Sequence, residues 1–260
     1  MLRSGVLRNL RPVMFDLQRL WRRTILLDRP LSLRGLWVLT AALLALLALW
    51  DVSGLDLVLA RLFGTAQGFA WRSQHTFVAL SHTWPRRLSS ALLLALIVGC
   101  WRPWGFLRAL APAQRWQLAL SVVLAMVGVT LFKRWSATSC PWDLAEFGGV
   151  ARYVSHWRWG VYDLGPGRCF PSGHASAGFG FVAGWFVLRR ARLPLAMPWL
   201  LAALAGGAVL GLAQQVRGAH YMSHTLWSAW LCWVLGLALD TAVQAARARR
   251  GSAAVEASPC

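Results

Sequence analysis

Apolar residues run almost without interruption through six stretches of the chain: Gly35 to Trp50, Leu88 to Trp101, Trp116 to Phe132, His174 to Leu188, Leu195 to Val216 and His220 to Leu239. A bilayer core about 30 Å thick takes about 20 mostly apolar residues per helix. Each stretch therefore reads as a transmembrane helix, and the second must continue past Arg102 to cross. A soluble helical core is also apolar, but six such helices in so short a chain leave too little polar sequence to cover them. The expected fold class is all-α, a polytopic membrane protein with about six transmembrane helices. Residues 35–246 form that domain, 1–34 a basic N-terminal segment, and 247–260 a small, polar, irregular tail. Residues 51–87 read as a connection, with "GLDLVLARLFG" as a short surface helix.

Composition agrees with the pattern. The 260 residues are 57% apolar and include 17 Trp, with a mean hydropathy of +0.49. The net charge of +18 comes from 26 Arg and one Lys against nine acids. So basic a chain often binds nucleic acid, but its distribution argues against that partner. Alternate connections carry 17 and 10 basic residues. The richer side includes both termini, which places them in the cytoplasm by the positive-inside rule. The stretch "RLWRRTILLDRPLSLRG" is expected against anionic headgroups. Arg residues scattered through 1–34 leave no apolar core for a cleavable signal, so the first span is expected to direct insertion. Trp135, Trp142, Trp157 and Trp159 fit an interfacial aromatic belt.

Three polar clusters then fall on one face of the membrane. The first, "FKRWSATSCPWDLAEFGG", opens with Lys133, the only Lys among the basic residues, where a compact ammonium differs from a guanidinium in geometry and hydration. The second is "PSGH", Pro171 to His174, at the start of an apolar stretch. Ser172 and Gly173 there can aim a hydroxyl and backbone N–H groups at an anion, helped by the helix dipole. His174 can move a proton near neutral pH. In the third, "QQVRGAHYMSHTLWSAW", His220 and His224 stand four apart on one helix face, with Arg217 just upstream to fork onto phosphate oxygens. Together they suggest an anion cradle beside two imidazoles, one to attack phosphorus and one to protonate the leaving oxygen. The same histidine pair has zinc-ligand spacing, with His174 as a third ligand. Basic surroundings and the lack of an acidic helper weigh against that metal reading.

On these residues the sequence resembles the type 2 phosphatidic acid phosphatase superfamily, which shares its core with vanadium haloperoxidases. The family pattern is K-x6-R-P, then P-S-G-H, then S-R-x5-H-x3-D. Lys133, Pro171 to His174, and His220 match it, while Cys140, Gln214 and His224 stand where the family has Arg, Arg and Asp. The resemblance implies a phosphohistidine on His220, acid catalysis by His174, and phosphate held by Lys133, Ser172 and Gly173, with no metal or other cofactor. Arg217, with Arg134, is expected to supply the missing guanidinium. Asp143, and after it His224, is expected to orient His220, and Cys140 and Cys169 are expected to form a disulfide in an oxidising periplasm. The implied function is hydrolysis of a lipid phosphate or diphosphate at the outer face of the inner membrane, the lipid being a phospholipid, an isoprenoid or lipid A. Transfer of phosphate to another lipid and non-catalytic lipid binding are the alternatives. Neither the particular lipid nor the oligomeric state follows from the residues.

Overall fold

The computed structural model describes residues 31–158 and 160–256, the last four as backbone alone. The basic segment 1–30, Trp159 and Cys260 lie outside the described residues. The chain divides into two compact units, Met1–Leu39 and Thr40–Cys260. Of the first, residues 31–39 are described and include the start of the helix Leu33–Val52.

The elements in order are α1 (Leu33–Val52), α2 (Leu55–Arg61), a two-residue hairpin β1 (Gly64–Thr65) and β2 (Gly68–Phe69), α3 (His75–Val78), a π turn (Ala79–Thr83), α4 (Trp84–Trp101), α5 (Pro112–Trp135), α6 (Ser176–Phe179), a 3-10 turn (Gly180–Ala183), α7 (Gly184–Arg190), α8 (Ala196–Val216) and α9 (Met222–Glu256). Among the described residues, five helices are long and apolar enough to cross a bilayer: Leu33–Val52, His75–Ala109, Pro112–Trp135, Ala196–Val216 and Met222–Ser252. The all-α membrane fold expected from the sequence is therefore present, with five such spans.

The fourth expected span, His174 to Leu188, takes a different form. It is a broken helical rod, Ser176–Arg190, about 22 Å long at 1.5 Å per residue. That is short of the hydrocarbon thickness of about 30 Å. Every residue from Phe179 to Leu188 is buried, so its apolarity is that of a core helix enclosed by its neighbours. Glycine allows the enclosure. A β-carbon on Gly178 would stand 2.2 Å from the Gly207 backbone nitrogen of α8, and one on Gly236 of α9 would stand 2.7 Å from Ala183. Such backbone-to-backbone approach is how helices pack where the solvent is itself apolar. At the far end of the rod, Arg190 donates to both carboxylate oxygens of Asp240 at 2.6 Å, and Gln117 of α5 joins at 3.1 Å.

Two further boundaries differ from expectation. The second span starts at His75, inside the segment read as a connection, and the π turn explains how it continues through Pro85. Proline has no N–H and its ring crowds the carbonyl four residues back, here that of Ser81. The turn opens there, and Ser81 O accepts instead from Gln214 Nε2 at 3.0 Å. The tail is not irregular after Arg247: α9 continues to Glu256, through an alanine-rich sequence of good helix formers. The short helix expected in "GLDLVLARLFG" is present as α2.

The loops at the other end of the rod have a small core of their own. Ala60, Phe69, Leu144, Phe147, Ala151 and Tyr221 pack together. Buried Asp163 ties residues 139–165 by accepting from Ser139 N (2.7 Å), Ser139 Oγ (2.9 Å) and Gly165 N (2.9 Å). Asp56 of α2 caps α9, accepting from the Ser223 amide at 2.9 Å and from the Ser223 hydroxyl. It also accepts from Trp50 Nε1 at 3.0 Å.

Replacing Gly178 by alanine should lower stability by about 1–3 kcal/mol, because overpacking displaces backbone. Gly206→Ala should not, since its β-carbon would meet only Gly178 Cα, at 3.9 Å. Thermal unfolding of the two variants in detergent compares them directly. Asp56→Ala should also lower stability, by about 1–3 kcal/mol, by leaving the buried Ser223 N–H without its acceptor. The same unfolding measurement checks it.

Candidate active site

Three separate parts of the chain meet at the loop end of the rod. Lys133 lies in the last turn of α5, and its stem passes beside Gly173, with Cδ 3.6 Å from where a β-carbon would stand there. Its charge acts on His174, His220 and His224. The rings of His174 and His220 have centroids 6.1 Å apart. His174 Nδ1 is buried without a hydrogen-bond partner among the described residues.

The PSGH turn is held by α9. The Ser172 amide donates to His224 O at 3.0 Å, and Ser228 Oγ lies 2.8 Å from both Ser172 O and His224 O. Of the amides offered to an anion by the sequence reading, that of Ser172 is therefore used internally. Those of Gly173 and His174 have no backbone acceptor among the described residues. Ser172 Oγ is turned to the Ala175 amide at 3.4 Å. Burial, with the nearby charges of His82, Lys133, Arg217 and Arg86, pushes the His174 imidazole down to about 3.

His220 is 2% exposed, and its Nδ1 has two close neighbours: His224 Nδ1 at 3.4 Å and Cys169 Sγ at 3.5 Å. The His224 ring is walled by Phe170 and Tyr221, at centroid distances of 5.2 and 5.0 Å. When His224 Nδ1 accepts from a protonated His220 Nδ1, the Nε2 lone pair of His220 is free to attack. Asp143 serves its own loop instead: its carboxylate accepts from the Cys140 amide at 3.2 Å, and burial raises its pKa. Cys140 and Cys169 are joined by a disulfide, which ties the Lys133 loop to the PSGH turn. Phe170–Pro171, between the bridge and that turn, is a cis peptide.

Arg217 is 7% exposed, and its guanidinium donates to Arg72 O at 3.0 and 3.3 Å and to Gln214 Oε1 at 2.9 Å. Gln214 thus bridges the π turn and Arg217 from the position where the family carries an arginine. Trp142 lies under both Arg72 and Arg217, which places it beside the site cations. Trp157 donates to Asp51 at 2.8 Å, whereas Trp135 is 88% exposed. Arg134 is exposed; it follows Lys133 by one residue, about 100° around the helix, and is not among the charges acting on the imidazoles.

Four contributors are missed from the sequence alone. His82, on the π turn, packs against His174 with ring centroids 4.1 Å apart and planes tilted by 39°, and Arg86 adds charge nearby. Asp51 accepts from Trp157 and from Trp227 Nε1 (2.9 Å), with His156 Nε2 3.4 Å away; His156 in turn stacks on Phe170 at 4.1 Å. Asp56 fixes the start of α9. The one usable hint was "SHTWPRR", a proline and two cations at a helix start, next to a histidine. An apolar cleft of about 500 Å³ opens beside the site, lined in part by Phe132, Trp135, His156, Phe170, Trp227 and Trp230.

The arrangement offers cations, unpaired amides and two imidazoles around one small volume, with no carboxylate among the described residues turned into it. Such a set holds an oxyanion and can exchange a proton and a bond with it. The sulfur beside His220 belongs to a disulfide and so presents no thiolate to a metal. No curated protein and no solved structure matches the chain. A family model described as PAP2 superfamily matches residues 114–248. Because that match covers more than half of the chain and takes in both histidine-bearing motifs, the chain belongs to the PAP2 superfamily, whose members are phosphatases.

Proposed function

We propose that the protein is a membrane lipid phosphatase that works through a phosphohistidine on His220. The observation that supports this best is the 6.1 Å separation of the His174 and His220 rings, with Lys133 acting on both. His220 Nε2 attacks phosphorus as the bond to the lipid oxygen breaks, and His174 delivers its proton to that oxygen. Water, giving a proton to His174, then attacks the phosphohistidine and frees inorganic phosphate. Lys133, Arg217 and the Gly173 amide stabilise the charge on the transferring group, with Ser172 shaping the turn. His224 is a positioning residue that sets the tautomer of His220.

Burial, and after it the nearby cations, hold His174 deprotonated in the free protein, and a phosphate dianion would neutralise the cations' share. Substrate binding therefore raises the His174 pKa and supplies the proton that the leaving group needs. The apolar cleft shares Phe170 with the site surroundings, which favours a substrate with a hydrocarbon chain. A disulfide within the site favours an oxidising compartment, and Arg102, Arg108, Arg115, Arg189, Arg190 and Arg192 fall at the opposite end of the spans. Both support a periplasmic site in the inner membrane, with cytoplasmic termini.

The deciding assay measures free phosphate from phosphatidate, phosphatidylglycerol phosphate, undecaprenyl diphosphate and lipid A phosphate. His220→Ala should reduce turnover by about 10³-fold or more, and His174→Ala by about 10²–10⁴-fold. Label from the substrate should appear on wild-type protein as an acid-labile, alkali-stable phosphate and be missing from His220→Ala. Turnover that survives in His220→Ala would overturn the reading, and label passing to a second lipid would indicate transfer.

A pH series with tungstate as a phosphate mimic tests the protonation of His174. The ring is neutral in the free protein and protonated in the complex, so binding takes up about one proton. Affinity should fall with rising pH, by up to about tenfold per unit once free His174 and the complex differ fully. His174→Gln should flatten that slope.

A further inference from the structure

One atom in the site has no part in the phosphoryl chemistry: Cys169 Sγ. With His220 Nδ1 and His224 Nδ1 it forms a group whose atoms all lie within 4.8 Å of one another. Two of the separations are 3.5 Å (Sγ to His220) and 3.4 Å (Nδ1 to Nδ1). A tetrahedral zinc ion, with bonds of about 2.0–2.1 Å to nitrogen and about 2.3 Å to sulfur, spaces its ligand atoms roughly 3.3–3.7 Å apart. Cys169, His220 and His224 are all buried. In the oxidised protein the group is closed to metal, because the sulfur is bonded to Cys140 and carries no thiolate.

We propose that reduction of the Cys140–Cys169 disulfide creates a zinc site whose required ligands are the Cys169 thiolate and the Nδ1 atoms of His220 and His224, with the Cys140 thiolate as a dispensable fourth ligand. Cys140 is the partly exposed half of the bridge and Cys169 the buried half. A dithiol reductant attacks Cys140 Sγ, and the electron pair of the S–S bond leaves with Cys169 as a thiolate. The second thiol of the reductant closes on the mixed disulfide, releasing Cys140 and leaving the reductant as a cyclic disulfide. Two electrons and two protons have then passed to the protein. Zinc displaces both thiol protons, and two thiolates balance its charge, so an uncharged centre forms beside Lys133. The oxidised bridge thus keeps soft divalent metals off His220. Metal binding stands apart from the phosphatase reading; only its inhibitory consequence depends on it.

The test uses full-length protein in detergent, oxidised or reduced with a dithiol that is then removed anaerobically, exposed to zinc and desalted. Metal analysis should find about one zinc per reduced chain and at least about tenfold less on the oxidised chain. Cys140→Ser and Cys169→Ser both lack the bridge, but only the first keeps the buried sulfur. Cys140→Ser should therefore retain zinc, and Cys169→Ser should lose it. Cobalt in place of zinc should give a thiolate-to-metal charge-transfer band in reduced wild type and in Cys140→Ser alone. Equal zinc on oxidised and reduced protein, none on the reduced chain, or equal zinc on the two variants would overturn the proposal. Should either variant fail to fold, the oxidised and reduced wild-type pair decides by itself.

Discussion

The hydrogen bond from the Ser172 amide to the His224 carbonyl joins the start of the buried rod to the start of the last helix. The rest of the site depends on that join. It sets the distance between His174, which follows Ser172, and His220, one turn before His224. Ser228 holds the same two carbonyls from below, and Asp56 fixes the helix end from above. Buried polar groups satisfied this fully resist displacement, since breaking any one strands a partner away from water.

The three departures from the family pattern share a physical theme: each replaces a charged residue with a neutral one that bonds locally. Cys140 gives up a guanidinium and makes a covalent tie to Cys169. Gln214 serves the carbonyl exposed by Pro85 with one end and Arg217 with the other. His224 meets His220 Nδ1 with a neutral ring where the family has a carboxylate. Lys133, Arg217 and Arg86 keep positive charge beside His174, and among the described residues no carboxylate acts on that ring.

Much of this was legible in the sequence because motif residues cluster in the second half of the chain. Lys133, the PSGH turn and the His220/His224 pair each carry a local signature, and apolar length gives the spans. The contributions of Asp51, Asp56, His82 and Arg86 were not legible. They come from the first hundred residues, where a lone acid or histidine between spans looks like any connection. Apolar length also cannot separate a helix that faces lipid from one enclosed by other helices, because both exclude water. Hence the stretch from His174 to Leu188 read as another span, although only its enclosure explains why glycines 178, 180 and 184 are needed there. The continuation of α9 past Arg247 was hidden by the same limit of composition: small polar residues suit a tail, yet alanine-rich ones also suit a helix.

The contact between Gly178 and Gly207 leaves no clearance for either helix to rotate or slide. The anchorage that starts at Ser172 is consequently preformed. A ligand arriving there meets amides and imidazoles already in position and loses little free energy to reorganisation. On the proposed phosphatase reading, discrimination among ligands then rests on what surrounds that fixed seat, the aromatic walls and the neighbouring cleft.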